Sequence, residues 1–338
     1  MRHDERVTLA HGSGGRTTRE LIERVFAPYF KNPVLARMND AAILAAETGG
    51  RLAFSIDGHV VSPLFFPGGT IGDVAVNGTV NDLAMMGARP LWLAASFILE
   101  EGLLLSDLER IVRSMANAAR AAGVLLVAGD TKVVERGKGD GVYISVAGVG
   151  LIPPHLDIDA GNIRPGDVIL INAPIAAHGM AIMVQREGLA FEGELESDTA
   201  PLHGIVQQLL EAAPRTRAMR DATRGGLATA LNELALASHV GMVVEEEAVP
   251  VNDAARNACA LLGLDPWHVA NEGVFVAVVP PDEADTALKA LRSHPLGRHA
   301  QRIGVATAAH PTHVVLRTTL GAERILTPLS GDLLPRIC

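Results

Sequence analysis

Five aspartates, Asp40, Asp57, Asp82, Asp130 and Asp221, each stand among apolar, glycine or asparagine neighbours. Carboxylates gathered in such surroundings repel one another, and a divalent cation removes that objection. Mg2+ takes oxygen ligands from a few carboxylates, waters and nucleotide phosphates. A helix cap or a closed turn is the ordinary use of a single aspartate, and it stays open for each of the five. His11-Gly12-Ser13-Gly14-Gly15 runs into a predicted helix, where Gly12 and Gly14 allow backbone N–H groups to approach a phosphate. The segment matches neither a Walker loop nor a dinucleotide fingerprint, so a flexible loop is the alternative. Lys132, two residues after Asp130, suits a phosphate as a point charge and equally suits an open surface. Glu272, just before an apolar strand, is a candidate base if burial raises its pKa, and otherwise a plain strand-edge carboxylate.

Cys338 is the last residue of the sequence and follows Pro335-Arg336-Ile337. A prenylation signal needs three residues after the cysteine, so that use is excluded. The segment from Pro328 can reach about 36 Å when extended, far enough to visit a site elsewhere on the molecule. Chemistry alone favours a free thiol without a role over a carrier arm, because a thiol needs a reaction partner before it means anything.

The elements that must position these groups are legible in part. Leu21, Ile22, Val25, Phe26 and Tyr29 recur at helical spacing and predict a helix from Thr17 to Tyr29. Arg51 to Val61 alternates as a strand, with Leu52, Phe54 and Ile56 on one face and Asp57 near its end. Ser106 and Glu109 form a capping-box pattern before the stripe Leu108, Ile111, Val112, Met115 and Ala119. Strands are expected at Val124 to Ala128, Val142 to Val149, Val168 to Ile171, Gly273 to Val279 and His313 to Leu316. Helices are expected at Ala177 to Glu187, Leu202 to Ala212, Leu227 to Ser238, Asn252 to Leu262 and Ala284 to Ser293. This is an α/β or α+β pattern. Pro153-Pro154 punctuates it, giving domains 1–153 and 154–326 and a tail 327–338 whose prolines and glycine sustain neither helix nor central strand.

The totals narrow the function classes. A chain of 338 residues suggests two domains at about 150 residues each. With 48% hydrophobic and 20% charged residues it can bury a core. Lys and Arg number 29 against 38 Asp and Glu, a net of −9, with no long basic run, and aromatics are 4%. Nucleic-acid binding is therefore disfavoured. The N-terminal MRHDERV leads into polar residues rather than an apolar segment, and no apolar stretch reaches a membrane span, so a cytoplasmic location is expected. Two cysteines, Cys259 and Cys338, make neither a disulfide framework nor a cysteine-rich zinc site.

Seven segments together resemble the HypE hydrogenase maturation factors, within the superfamily of aminoimidazole ribonucleotide synthetase, selenophosphate synthetase and thiamine monophosphate kinase. They are HGSGG at 11–15, SIDGHVVSPLFFPGG at 55–69, VNGTVNDLAMMGARP at 76–90, GDTKVV at 129–134, DATRGGL at 221–227, NEG at 271–273 and PRIC at 335–338. The cysteine-ended tail distinguishes this branch from its ATP-using relatives. Thr70 departs from the family, where an acidic residue commonly follows the paired glycines. The resemblance implies a two-domain PurM-like fold, an N-terminal sheet domain that dimerises, and ATP held between N-terminal domains. It further implies Asp57, Asp82 and Asp221 at magnesium and phosphates, with Asp40 and Asp130 near them.

The implied reaction is ATP-dependent dehydration of a carbamoyl group on Cys338 to a thiocyanate, with Glu272 as the base and Lys132 at the phosphate. The implied partners are a HypF-like carbamoyltransferase and a HypC–HypD-like iron-carrying complex. Two other readings are open to the same residues. One is a small-molecule kinase or synthetase of the same superfamily; the other is a docking protein that uses the cysteine arm without catalysis.

Overall fold

The computed structural model describes residues 5–12, 16–34, 49–189, 195–328 and 336–338. The N-terminal helix divides: α1 (Arg16–Leu21) is followed by one wider π-helical turn, Ile22–Phe26. The wider turn lets Leu21, Val25, Phe26 and Phe30 all enter the core. Next come β1 (Arg51–His59), the short hairpin β2 (Phe65–Phe66) and β3 (Gly69–Thr70), and α2 (Ile71–Met85). They are followed by β4 (Arg89–Glu100), α3 (Leu105–Ala121), β5 (Leu125–Val134) and β6 (Val142–Ile152). β1, β6, β4 and β5 form a four-stranded sheet in that order, antiparallel except for the β4–β5 pair.

One face of this sheet packs on α2 and α3. The α3 stripe Leu108, Ile111, Val112, Met115 and Ala119 is buried as its spacing predicts. The helix nevertheless starts at Leu105, a buried residue whose N–H reaches Glu5 O at 2.8 Å, so Ser106 lies inside the first turn and caps nothing. The capping box is elsewhere, at α2. Thr70 Oγ1 accepts the Gly72 N–H at 3.0 Å, and the Asp73 carboxylate accepts the Thr70 N–H at 2.7 Å. Thr70 thus has a structural use of its own as the cap of α2.

The chain then builds a seven-stranded sheet from β7 (Val168–Ile171), β8 (Ala218–Asp221), β9 (Gly241–Glu245), β10 (Phe275–Val279), β11 (Gln301–Thr307), β12 (Val314–Arg317) and β13 (Glu323–Leu326). Its order is β13-β12-β9-β11-β7-β10-β8, with a single parallel pair, β12–β9. The helices α4 (Ala177–Arg186), α5 (His203–Ala212), α6 (Gly226–Ser238), α7 (Asp253–Leu262) and α8 (Ala284–Ser293) accompany it. Two apolar clusters line this sheet, and one of them continues into Leu83, Ala84, Met85 and Ala88 at the end of α2. A shared core of this kind fixes the two sheets against each other.

Asn81 adds direction to that fixation. Its Nδ2 donates to Ala200 O and to Glu272 O, each at 3.1 Å, and its Oδ1 accepts the Leu202 N–H at 2.7 Å. All three partners belong to the second half of the chain, and the Asn81 side chain is buried. Thr70→Ala removes the α2 cap, and a loss of about 1 kcal/mol in urea unfolding is expected. An unchanged midpoint would show that Thr70 does not hold the helix start.

Candidate active site

Strand parity decides what β1 offers. Leu52, Phe54 and Ile56 face away from the helices and are 70%, 70% and 68% exposed, whereas Ser55, Asp57 and His59 alternate to the α2 side. Gly78 lets strand and helix close together at that point. A Cβ there would stand 3.2 Å from His59 Cε1, 3.5 Å from Asp57 Oδ2 and 3.9 Å from Glu272 Oε2. One turn along α2, Asp82 accepts a hydrogen bond from Ser55 Oγ at 2.6 Å. Asp221 ends β8, and Glu272 follows Asn271, whose side chain is locked to Ala222 O, Val269 O and the Ala176 N–H.

Asp198, which no sequence motif marked, completes the group. Its carboxylate accepts the N–H groups of Glu272 at 3.1 Å and Gly273 at 3.2 Å. Gly273 must be glycine, because a Cβ would meet Asp198 O at 2.0 Å.

Crowding of buried carboxylates shows in their acidity. Burial, then the charges of Asp82 and Asp57, push Asp221 up to about 7. Asp82 is raised by burial against the Ser55 hydrogen bond, with Asp57 adding to the rise. Glu272 lies well above the usual carboxylate range, first through burial and then through Asp198, Asp221, Asp57 and Asp82. Asp198 rises to about 6 by burial, against the two backbone hydrogen bonds. His59 is also buried and its pKa is lowered by that burial; its Nε2 lies 3.7 Å from Asp57 Oδ2 and neither ring nitrogen has a hydrogen-bond partner.

The tail enters this acidic group. Val60 N–H donates to Cys338 O at 3.2 Å and Ser62 N–H to Arg336 O at 3.1 Å. His178 Nε2 holds Ile337 O at 3.0 Å while its Nδ1 meets Ser197 Oγ at 2.7 Å. The His178 ring is buried and its pKa falls to about 4, so it is neutral, and Nε2 carries the proton that Ile337 O accepts. Arg186 bridges Ser62 O and Arg336 O, and Arg336 pairs with Asp140 at 2.6 Å. Cys338 Sγ accepts from Arg224 Nε at 3.2 Å. Burial and the nearby Glu272 charge push the thiol up to about 12, with Arg224 acting in the opposite sense.

Asp57, Asp82, Asp221, Glu272 and Cys338 are therefore one neighbourhood. Asp130 and Lys132 are not part of it within one chain. β5 runs on through them as strand, and register puts Asp130 in a row with Ser96, Ser145 and Gly58, on the same outer face as Ile56. They pair with each other at 2.9 Å and are largely exposed. Gly12 ends a short 3-10 helix, Leu9–Gly12, packed beside β5. Asp40 and Gly14 lie outside the described residues.

The sequence reading also passed over Arg224, although DATRGGL contains it, and His178, which sits in no motif. Among the described residues, no three His, Cys, Asp or Glu side chains are gathered tightly enough to hold a metal by themselves. The aspartates do supply hard oxygen donors, and beside Asp57 the buried His59 has two ring nitrogens without a hydrogen-bond partner. That donor set fits magnesium whose remaining ligands are phosphate and water.

A carboxylate whose pKa is higher folded than unfolded stabilises most at low pH, and that contribution is lost as pH rises through the folded value. Relative to Asp198→Asn, the metal-free protein is expected to lose stability from about pH 4 to about pH 6 and then level off. The slope should not exceed about 1.4 kcal/mol per pH unit. Urea unfolding in a chelator measures it, and a difference independent of pH would contradict the burial of Asp198 as an acid.

Family comparison matches the AIR synthase related protein N-terminal domain over residues 38–152 and the corresponding C-terminal domain over 164–317. The carbamoyl dehydratase HypE of Cupriavidus necator is 53% identical over 333 residues, covering 98% of this chain and 95% of that one. Among solved structures, the hydrogenase maturation protein HypE in complex with ATP superposes with a TM-score of 0.94 at 48% identity, covering 98% of this chain and 99% of its own. A HypE–HypF complex superposes with a TM-score of 0.80 at 44% identity, covering 91% and 99%. With both halves matched and the relatives aligned almost end to end, this chain belongs to the AIR synthase related family and, within it, to the HypE carbamoyl dehydratases.

Proposed function

We propose that this chain dehydrates a carbamoyl group carried on Cys338 Sγ to a thiocyanate at the expense of ATP, supplying the cyanide ligand for the iron centre of nickel–iron hydrogenase. The observation that carries this reading is the place of the thiol. Sγ sits against Arg224 inside the Asp57, Asp82, Asp221 and Glu272 neighbourhood, held there by tail backbone contacts to Val60, Ser62, His178 and Arg186. The relative of highest structural likeness given above was solved with ATP.

An amide oxygen is a poor leaving group. Transfer of the γ-phosphoryl of ATP to that oxygen releases ADP and leaves an imidic phosphate on sulfur as one N–H proton departs. Breaking the C–O bond then releases phosphate, which takes the second proton, and leaves S–C≡N. Summed, thiocarbamate plus ATP gives thiocyanate, ADP, hydrogen phosphate and one proton. Glu272, buried and near the thiol, is the acceptor for a carboxamide proton in its ionised form. Asp57, Asp82 and Asp221 would hold magnesium, which offsets the triphosphate charge and helps align the transfer.

The docked thiol, pushed up to about 12, is a poor nucleophile, so loading belongs to a released tail. In this reading a HypF-like carbamoyltransferase loads the tail and a HypC–HypD-like complex receives the cyanide, all in the cytoplasm. The chain divides into an ATP-binding and dimerising part, 1–153, a second α/β part, 154–326, and the carrier tail 327–338. A homodimer is supported by the exposed apolar strip Leu52, Phe54 and Ile56 on an edge strand. Asp130 and Lys132 share that face, so the partner copy is where they would meet the nucleotide, with Lys132 steering phosphate.

Mass spectrometry of the C-terminal peptide, after incubation with the carbamoyl donor system and Mg-ATP, is expected to show carbamoylation and then ATP-dependent loss of one water at Cys338. Cys338→Ala should show neither. An unmodified tail under a donor system proven active would remove the reading in favour of a small-molecule ATP enzyme. For the dimer, Phe54→Asp is expected to sediment as a monomer and to lose dehydration at least 10-fold; an unchanged sedimentation coefficient would place the interface elsewhere.

A further inference from the structure

We infer that Arg224 is a further catalytic residue, which orients the S-carbamoyl group by taking its oxygen and leaving the amide nitrogen to Glu272. The inference rests on the dehydratase reading and adds to it a group that sets the geometry of the reacting carboxamide.

The loop between β8 and α6 is built around this side chain. Gly225 and Gly226 both adopt left-handed backbone, with φ of 71° and 61°. A Cβ on Gly226 would meet Trp267 O and Val269 O, each at 2.6 Å. Only glycine fits that approach, and the tight loop fixes where the preceding arginine leaves the backbone. Its guanidinium then spans two atoms of the same residue: Nε on Cys338 Sγ at 3.2 Å and the Nη2 nitrogen on Cys338 O at 3.5 Å. A planar fork fixed at two points cannot turn freely about the sulfur.

A carboxamide has an accepting edge, the oxygen, and a donating edge, the NH2. Rotation about the S–C bond exchanges the two with almost no change in shape, so packing alone does not choose between them. Hydrogen bonding does. A guanidinium only donates. Two further acids, Glu272 and Asp57, lie close enough for their charges to act on the thiol, and neither is the group that holds Sγ. One rotamer pairs oxygen with Arg224 and nitrogen with a carboxylate. The other sets NH2 against the guanidinium and oxygen against a carboxylate, and both contacts are mismatched.

The favoured rotamer is also the reactive one. It turns the N–H toward its proton acceptor, and it places a fixed positive charge beside the oxygen as the phosphoryl group arrives and again as phosphate leaves. The protein group stays unchanged through the step; the bonds made and broken are those already given. A donor aimed at developing oxygen charge is worth about 100-fold in rate.

The test uses full-length protein, first carbamoylated on Cys338 by the donor system, then given Mg-ATP in a single turnover followed by mass spectrometry of the tail. Arg224→Ala and Arg224→Gln are expected to lose water about 100-fold more slowly than the unmodified chain. Arg224→Lys, which keeps a donor-only cation, should retain more. Guanidinium ion in solution should restore part of the rate to Arg224→Ala and none to the unmodified chain, a response that a merely structural arginine would not give. Equal rates across the variants, or a rate loss in Arg224→Ala that guanidinium leaves untouched, overturns the inference. Failure of the unmodified chain to dehydrate would instead overturn the dehydratase reading on which it rests.

Discussion

Five carboxyl groups are brought together beside the Cys338 thiol, most of them out of water. Asp57, Asp82, Asp198, Asp221 and Glu272 come from β1, α2, the end of β8 and two loops, and four of the five are raised in pKa mainly by loss of water. Such a group is expensive to assemble. Rigid neighbours hold parts of it: Ser55 donates to Asp82, two backbone N–H groups donate to Asp198, and Gly78 and Gly273 permit the close approach of the elements. Asn81 and the apolar cluster at the end of α2 lock the two halves of the chain in the relation that keeps these acids together.

The tail turns that crowding into selectivity for one thiol. Most of its described contacts run through backbone carbonyls of Arg336, Ile337 and Cys338, while Ile337 is buried in the N-terminal core. The sulfur is therefore placed by the chain behind it rather than by its own reactivity. Burial at that place, with the nearby Glu272, holds the sulfur as a thiol.

Legibility in the sequence follows the physics of each element. Val168–Ile171 and Ala284–Ser293 coincide with their sequence patterns, one an unbroken apolar run and the other a clean stripe against an exposed face. Helix α2 carries no such stripe, because it is buried nearly all round by the sheet, α3 and the second half of the chain. Its Gly78 and its β-branched residues disguise it further. The Ser106 and Glu109 pair imitates a cap, yet the helix starts two residues earlier, at the buried Leu105. The aspartates were legible as types, and their grouping was not. Asp57 and Asp130 each sit on a strand, and only the register across four strands shows that they face opposite ways. Asp198 and His178 act through backbone groups distant in sequence, for which residue type and spacing carry no signal.

In the proposed reaction ATP activates the carboxamide oxygen. Carbamoyl carrying a heavy oxygen isotope on its carbonyl, loaded onto Cys338 and dehydrated with Mg-ATP, tests it most directly by mass analysis of the released phosphate. Label in inorganic phosphate, one atom for each thiocyanate formed, is the predicted result. Label appearing in water, with unlabelled phosphate, would contradict phosphoryl activation and with it the account of this site.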